Sequence, residues 1–299
     1  MSKVDQSQQP GYGQPPAYTQ PQPGYGQPQP GYGQPQPGYG QPQPGYGQPP
    51  PPGQPPAGQQ QQWMARPEAI PGCPPGLEYL TQIDQLLVHQ QIELLEVFVN
   101  WETSNRYAIK NSLGQQVFFA AEESETCHRQ CCGPQRGFVM HITDNMGQEV
   151  MKVNREFKCC AGCNWCASAD CCAMVVTVEA PVGNIIGSVR QAQSCLAPKY
   201  QILDASDNVV FIIEGPVCIC QGPCCTQDVS FKVYSPDMQH EVGKISKQWS
   251  GFVREYFTAA DNFGITFPMD LDVKMKANMV GALFLIDFMY FENKNNNNN

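Results

Sequence analysis

Between residues 6 and 65 the sequence has no charged side chain, and it has very few aliphatic ones. The segment is built almost wholly from Pro, Gly, Gln and Tyr. It offers too little apolar surface to offset the entropy of ordering, so residues 1–65 are predicted to be a disordered tail. Positive charge is scarce everywhere: 18 Lys and Arg face 27 Asp and Glu, a formal net charge of -9. Lys3 and Asp5 cancel, so the excess belongs to the remainder. An acidic domain lacks the basic surface that phosphate contact needs, which argues against nucleic acid as a partner. The same charge opposes unaided docking onto anionic lipid. Also absent are a Ser nucleophile elbow, a GxxxxGK loop and an HExxH pattern, so no enzyme constellation is in sight.

Targeting signals are missing too. The start, Met1-Ser2-Lys3-Val4, is polar, and Ser at position 2 excludes myristoylation; no prenylation Cys closes the chain. The domain is therefore expected to face the cytosol with its 15 cysteines reduced, and the odd count opposes complete pairing. Nor is there a long apolar run. The charge-free stretch from Ala277 to Ile286 has ten residues, and continuing to Phe291 gives fifteen, interrupted by Asp287. A spanning helix needs about 20 apolar residues, and a central Asp adds roughly 2.5–3.5 kcal/mol on insertion scales. This segment, with Ala277, Gly281, Phe284, Asp287 and Phe291, reads as a core helix that is apolar all round because it is enclosed. Gly281 would mark a close approach to a strand.

The tail repeats Pro-Gly-Tyr-Gly-Gln-Pro-Gln from Pro23, Pro30, Pro37 and Pro44. Within it, Pro15-Pro16-Ala17-Tyr18 is a PPxY pattern, which WW domains bind through preformed polyproline geometry; Pro49 to Pro52 would suit SH3 domains. A solvated spacer is the alternative. From residue 66 the composition becomes globular. The spacing of Leu80, Ile83 and Leu87 predicts a helix over 78–91. Eleven strands are then predicted, at 94–101, 107–110, 116–120, 138–143, 149–153, 174–179, 185–190, 199–203, 209–213, 229–234 and 241–246. Turn signals at 111–114, 144–147, 181–184 and 204–208 separate them. The class is all-β dominated, with helix added: a sandwich or a closed barrel, whose natural content is the C-terminal helix. Residues 293–299, rich in Asn, are predicted to be disordered.

The stretches Cys73-Pro74-Pro75-Gly76-Leu77-Glu78-Tyr79-Leu80, Val88-His89-Gln90-Gln91-Ile92-Glu93, Asp144-Asn145-Met146-Gly147-Gln148-Glu149 and Gly243-Lys244-Ile245-Ser246-Lys247 resemble the phospholipid scramblase family. So does Asp261-Asn262-Phe263-Gly264-Ile265, and the likeness covers residues 73–292. It implies a tubby-like closed barrel of about twelve strands around a central C-terminal helix, occupying 66–292. It implies Ca²⁺-stimulated, ATP-independent, bidirectional movement of phospholipids: a lipid translocator, not a chemical catalyst. By family convention the C-terminal helix spans the plasma membrane in type II topology, whereas its length and Asp287 favour an internal place.

The resemblance also implies sites. An EF-hand-like Ca²⁺ segment would use Asp261, Phe263, Ile265, Phe267 and Asp270, with Gly264 at the turn and Ala259 in place of one acid, which weakens it. The dense cysteines resemble a palmitoylated cluster, with Cys163, Cys166, Cys171 and Cys172 as acceptors and Cys160 as a further one; two or more chains give stable anchoring. Zinc is the rival there, through CxxC spacing at Cys160 to Cys163 and Cys163 to Cys166, with Cys218 and Cys220 elsewhere. Lys244 and Lys247 resemble a non-classical nuclear-import segment, with a solvated strand face as the alternative. A second functional class stays open: a membrane-tethered adaptor that recruits WW or SH3 partners without transporting lipid. Self-association into an oligomer stays open beside these partners.

Overall fold

The computed structural model describes residues 62–91, 105–124, 135–219, 228–248 and 262–292. The PPxY motif, the predicted strand 94–101, the cysteine pairs at 131–132 and 224–225, Cys220 and Asp261 lie outside the described residues.

Twelve strands form one closed antiparallel barrel. They are β1 (Gln85–Gln90), β2 (Arg106–Asn111), β3 (Gln116–Glu123), β4 (Phe138–Thr143), β5 (Glu149–Arg155) and β6 (Val175–Glu179). Then come β7 (Ile185–Ala192), β8 (Lys199–Asp204), β9 (Val209–Glu214), β10 (Val229–Tyr234), β11 (Glu241–Lys247) and β12 (Asn262–Thr266). Each strand pairs with its sequence neighbours, and β1 pairs with β12 to close the ring. Side chains alternate in and out, as period two requires. In β4, Phe138, Met140 and Ile142 are buried while Val139, His141 and Thr143 are not.

Ten of the predicted strands match, with small shifts at their ends. Their turns are set by side chains. The Asn111, Asp144 and Asp204 Oδ1 atoms each accept two backbone N–H groups from the following turn, at 2.8 to 3.1 Å. Gly114 and Gly147 take the positive φ that these turns need, 78° and 72°.

Two elements differ from expectation. The predicted helix over 78–91 is a single 3-10 turn, Glu78–Gln82, followed by β1. Leu87 supported the helical spacing but is only half-buried; Leu86 and Val88 fill the core with period two. The segment predicted as a Ca²⁺ loop is in part β12. Phe263, Ile265 and Phe267 are buried, and β12 is paired on both sides, to β1 and β11. Two residues predicted to belong to the tail are part of the described structure: Trp63 bridges to Gln116, and Met64 is buried.

The helix α1 (Val273–Tyr290) fills the barrel. Asp272 caps it, its Oδ1 accepting from the Lys274 and Met275 backbone N–H groups at 2.9 and 3.3 Å. Every residue from Met275 to Phe288 is buried, so no polar stripe is needed. Among the described residues no helix is long and apolar enough to cross a membrane. Gly281 does mark a close approach: a Cβ placed there would sit 2.6 Å from Val178 Cγ2 on β6. Gly281→Val is therefore expected to lower stability by about 1–3 kcal/mol through overpacking. Urea unfolding reads this directly, and an unchanged midpoint would mean that β6 yields freely.

Candidate functional site

Connections alternate between the two ends of an up-and-down barrel. The tight turns after β2, β4, β6, β8 and β10, and the β12–α1 link, share one end, here the turn end. The connections after β5, β7 and β9 share the other, the loop end. Nine cysteines lie in the described residues. Cys73 is near the turn end, before the 3-10 turn. The other eight, Cys159, Cys160, Cys163, Cys166, Cys171, Cys172, Cys195 and Cys218, are all on loop-end connections.

The β5–β6 connection is folded by its own bonds. Ala161 N–H donates to Lys158 O, Ala169 to Cys166 O, and Cys172 and Ala173 to Ala169 O. Lys158 Nζ donates to the carbonyls of Asp170 and Ala173 at 2.7 and 2.9 Å. This packing presents Cys159, Cys160, Cys163, Cys166 and Cys171 to solvent and half-buries Cys172. The sulfur atoms of Cys159 and Cys160 are 3.5 Å apart, and those of Cys171 and Cys172 are 3.7 Å apart. The thiols differ in chemistry. Backbone N–H groups of Cys166 and Trp165, with the Cys166 thiol, lower the Cys163 pKa. This favours its thiolate, the form that acts as nucleophile. Cys160 is raised, first by its hydrogen bond with Cys159, and Cys166 by its bond with Cys163. Cys172 is pushed up to about 11, first by Cys171. Cys171 also raises Cys160 and Cys166, so the thiols form one cluster in space as well as in sequence.

The other sites predicted from sequence are dispersed. Asp270 lies in the β12–α1 link at the turn end. The cysteine cluster is beyond the far end of α1, whose 18 residues span about 27 Å. Phe263, Ile265 and Phe267 turn their side chains into the core. Their segment is strand backbone in a ladder, not a twelve-residue loop. Among the described residues no group of three or more His, Cys, Asp or Glu side chains is arranged to hold a metal ion. The two lysines of the import-like segment are split by strand alternation, so they do not share one solvated face. Lys244 faces outward, whereas Lys247 is buried with its Nζ 4.1 Å from the Phe291 ring centre.

A buried polar cluster below the loop end was not foreseen. Arg136 donates to Glu122 and Glu292, and Asn105 Nδ2 donates to both carboxylates at 2.6 and 3.1 Å. Tyr107 hydroxyl donates to Asp287 Oδ2 at 2.8 Å. Phe284 packs edge-on against the Tyr107 ring, 5.2 Å between ring centres, and Ala277 and Phe291 are buried elsewhere along the helix wall. The one available signal was phase: Glu122 follows Ala120 at the inward period of β3.

The Scramblase family model matches residues 64–293. The chain belongs to the scramblase family. As a scramblase-family member it is 52% identical over 240 residues to phospholipid scramblase 2 of Bos taurus, covering 80% of this chain and 79% of that protein. It is 53% identical over 230 residues to human phospholipid scramblase 1, covering 77% and 70%. It is 48% identical over 219 residues to human phospholipid scramblase family member 5, covering 73% and 78%. A solved Arabidopsis thaliana chain aligns at TM-score 0.36 and 11% identity, over 69% of this chain and 94% of that one.

Proposed function

We propose that this protein moves phospholipids between the leaflets of a membrane without ATP, held on the cytosolic face of the plasma membrane by acyl chains on the loop-end cysteines. Membership of a family whose relatives are named phospholipid scramblases carries the first part. The exposed thiols carry the second. Cys163, Cys166 and Cys171 are open to an acyl donor, and Cys172 is partly so. The lowered pKa of Cys163 favours the thiolate that would attack an acyl donor. Two or more chains would convert transient contact into stable anchoring.

Purified full-length chain in vesicles with a labelled phospholipid is expected to speed transbilayer movement above protein-free vesicles; an equal rate rejects translocation. In cells, the combined Cys163→Ser, Cys166→Ser, Cys171→Ser and Cys172→Ser variant is expected to lose thioester-linked lipid and to leave the membrane fraction. Retention of both would sink the anchoring part.

Ca²⁺ stimulation belongs to the same proposal. Its described carboxylate, Asp270, has Asp272 two residues on in the β12–α1 link. Titration of Asp270→Asn with Ca²⁺ should show weaker binding than the parent, and equal binding rejects that ligand.

A second reading is favoured by one observation: α1 fills the barrel, which leaves no path for a headgroup through it. An adaptor needs no such path. It would hold a membrane through the cysteines and recruit WW-domain partners through Pro15, Pro16 and Tyr18. Capture by WW domains that survives Tyr18→Ala rejects this motif as the contact.

A further inference from the structure

Large apolar side chains stand in solvent on the same loop-end connections as the cysteines. Phe157 and Trp165 come from the β5–β6 connection, Leu196 from β7–β8 and Val217 from the chain after β9. Trp165 is 63% exposed, Leu196 74% and Val217 70%. They sit on a tied surface. Asn164, beside Trp165, accepts at Oδ1 from Gln191 Nε2 at 2.8 Å and from the Tyr290 hydroxyl at 3.4 Å. Its carbonyl accepts from Ser194 N–H at 3.1 Å, and Pro198 O accepts from Gly215 N–H at 2.9 Å. The three connections are therefore linked to one another and to the last turn of α1. Thioester formation requires none of these four apolar side chains.

We infer that the loop end is a bilayer-docking face whose Phe157, Trp165, Leu196 and Val217 enter the headgroup–acyl boundary on their own, before any cysteine is acylated. This rests on the membrane reading above and adds a surface and an orientation to it: the C-terminal end of α1 points at the lipid.

Charge selects this end over the other. The turn end also exposes apolar tips, at Leu113, Met146 and Met269. Its described turns and their flanks, however, carry Asp144, Asp204, Asp207, Asp237, Asp270 and Asp272, against Arg66, which pairs with Asp144, and Lys274. Such a surface is repelled by an anionic leaflet. The described connections after β5, β7 and β9 hold Glu156, Asp170 and Asp228 against Lys158, and Asp170 meets Arg190. Fewer acids on these connections, with Trp and Phe on them, suit the interfacial layer, where amphipathic rings favour the headgroup level. The eight cysteines on the same connections would then tether their acyl chains in the plane that the apolar tips enter.

The test uses full-length chain made in a host that does not acylate it, with neutral phosphatidylcholine vesicles carrying brominated acyl chains. Wild type is expected to float with the vesicles, and bromine should quench its fluorescence much less after Trp165→Phe. The Trp165→Glu/Leu196→Glu variant is expected to partition at least about tenfold more weakly, since it replaces two apolar side chains that lipid would bury with two charges. Leu113→Glu/Met146→Glu, at the turn end, should stay within about twofold of wild type by the same reasoning. All four positions are exposed, and matching thermal melts verify folding. Wild type that does not float overturns the inference, as does equal loss in the turn-end variant. If sedimentation shows self-association that only the loop-end variant abolishes, while vesicle partition is unchanged, the face binds a second copy and the inference fails. Docking without accelerated lipid movement would support this face while rejecting translocation.

Discussion

Arg136→Met is expected to lower the unfolding free energy by about 3–5 kcal/mol, the scale for breaking a buried ion pair by removing one partner. The side chain is almost fully buried, and so is Glu122. Nε and Nη2 of Arg136 reach Glu122 Oε1 at 3.1 and 2.8 Å, and Nη1 reaches Glu292 Oε2 at 2.6 Å. One guanidinium, just before β4, thus joins β3 to the chain two residues beyond α1. Burial already raises the Glu292 pKa, against the pull of Arg136. Without Arg136, two carboxylates would face each other in the core. Urea unfolding should show a lower midpoint at constant slope. Adding Glu122→Gln to the Arg136→Met background should recover part of the loss, because it removes one stranded charge. Lys at 136 should fall between, since it keeps the charge and loses the planar fork. A change below about 1 kcal/mol in the Met variant would show that the cluster relaxes or hydrates, as surface pairs do.

Lys276→Met comes next, with an expected loss of about 3 kcal/mol or more, because three carbonyls would lose a charged donor at once. Lys276 Nζ donates to Leu80 O, Ile83 O and Met269 O at 2.9, 2.8 and 2.7 Å. It pins the first turn of α1 to the chain entering β1. Desolvation lowers its pKa below 10.5, although Asp84 and Asp270 pull the other way. The sign follows from linkage. Between the lowered folded value and 10.5, the unfolded chain holds a proton that the folded chain has released. This lysine therefore makes stability rise with pH through that window, and the gain is lost as pH falls through the folded value. Wild type should gain stability towards pH 10.5 relative to Lys276→Met, and parallel profiles for the two would refute the assignment.

The barrel was legible because its strands alternate and its turns are written in Asn, Asp and Gly. Phe138-Val139-Met140-His141-Ile142 needs nothing beyond period two. β1 was hidden because Leu80, Ile83 and Leu87 satisfy helical spacing, and only pairing to β2 and β12 decides between the periods. β12 was hidden by its own resemblance to a cation loop, although Phe263, Ile265 and Phe267 already alternate. The helix was placed correctly from its length, Asp287 and Gly281. The cysteine-dense loop was visible in sequence, but Cys195 joins it only through the barrel's topology. The charged cluster was signalled only by the inward phase of Glu122: Glu292 is 156 residues from Arg136, and nothing local in the sequence links them.

The pairing of β1 with β12 has a consequence for biosynthesis. The first and last strands are neighbours, so the ring has no complete hydrogen-bonded wall until Thr266 has left the ribosome, and no filling until α1 follows. Until then the nascent sheet carries two open edges, the condition that invites pairing with another chain. A premature stop anywhere before the helix should therefore yield an aggregating fragment in place of a smaller working domain.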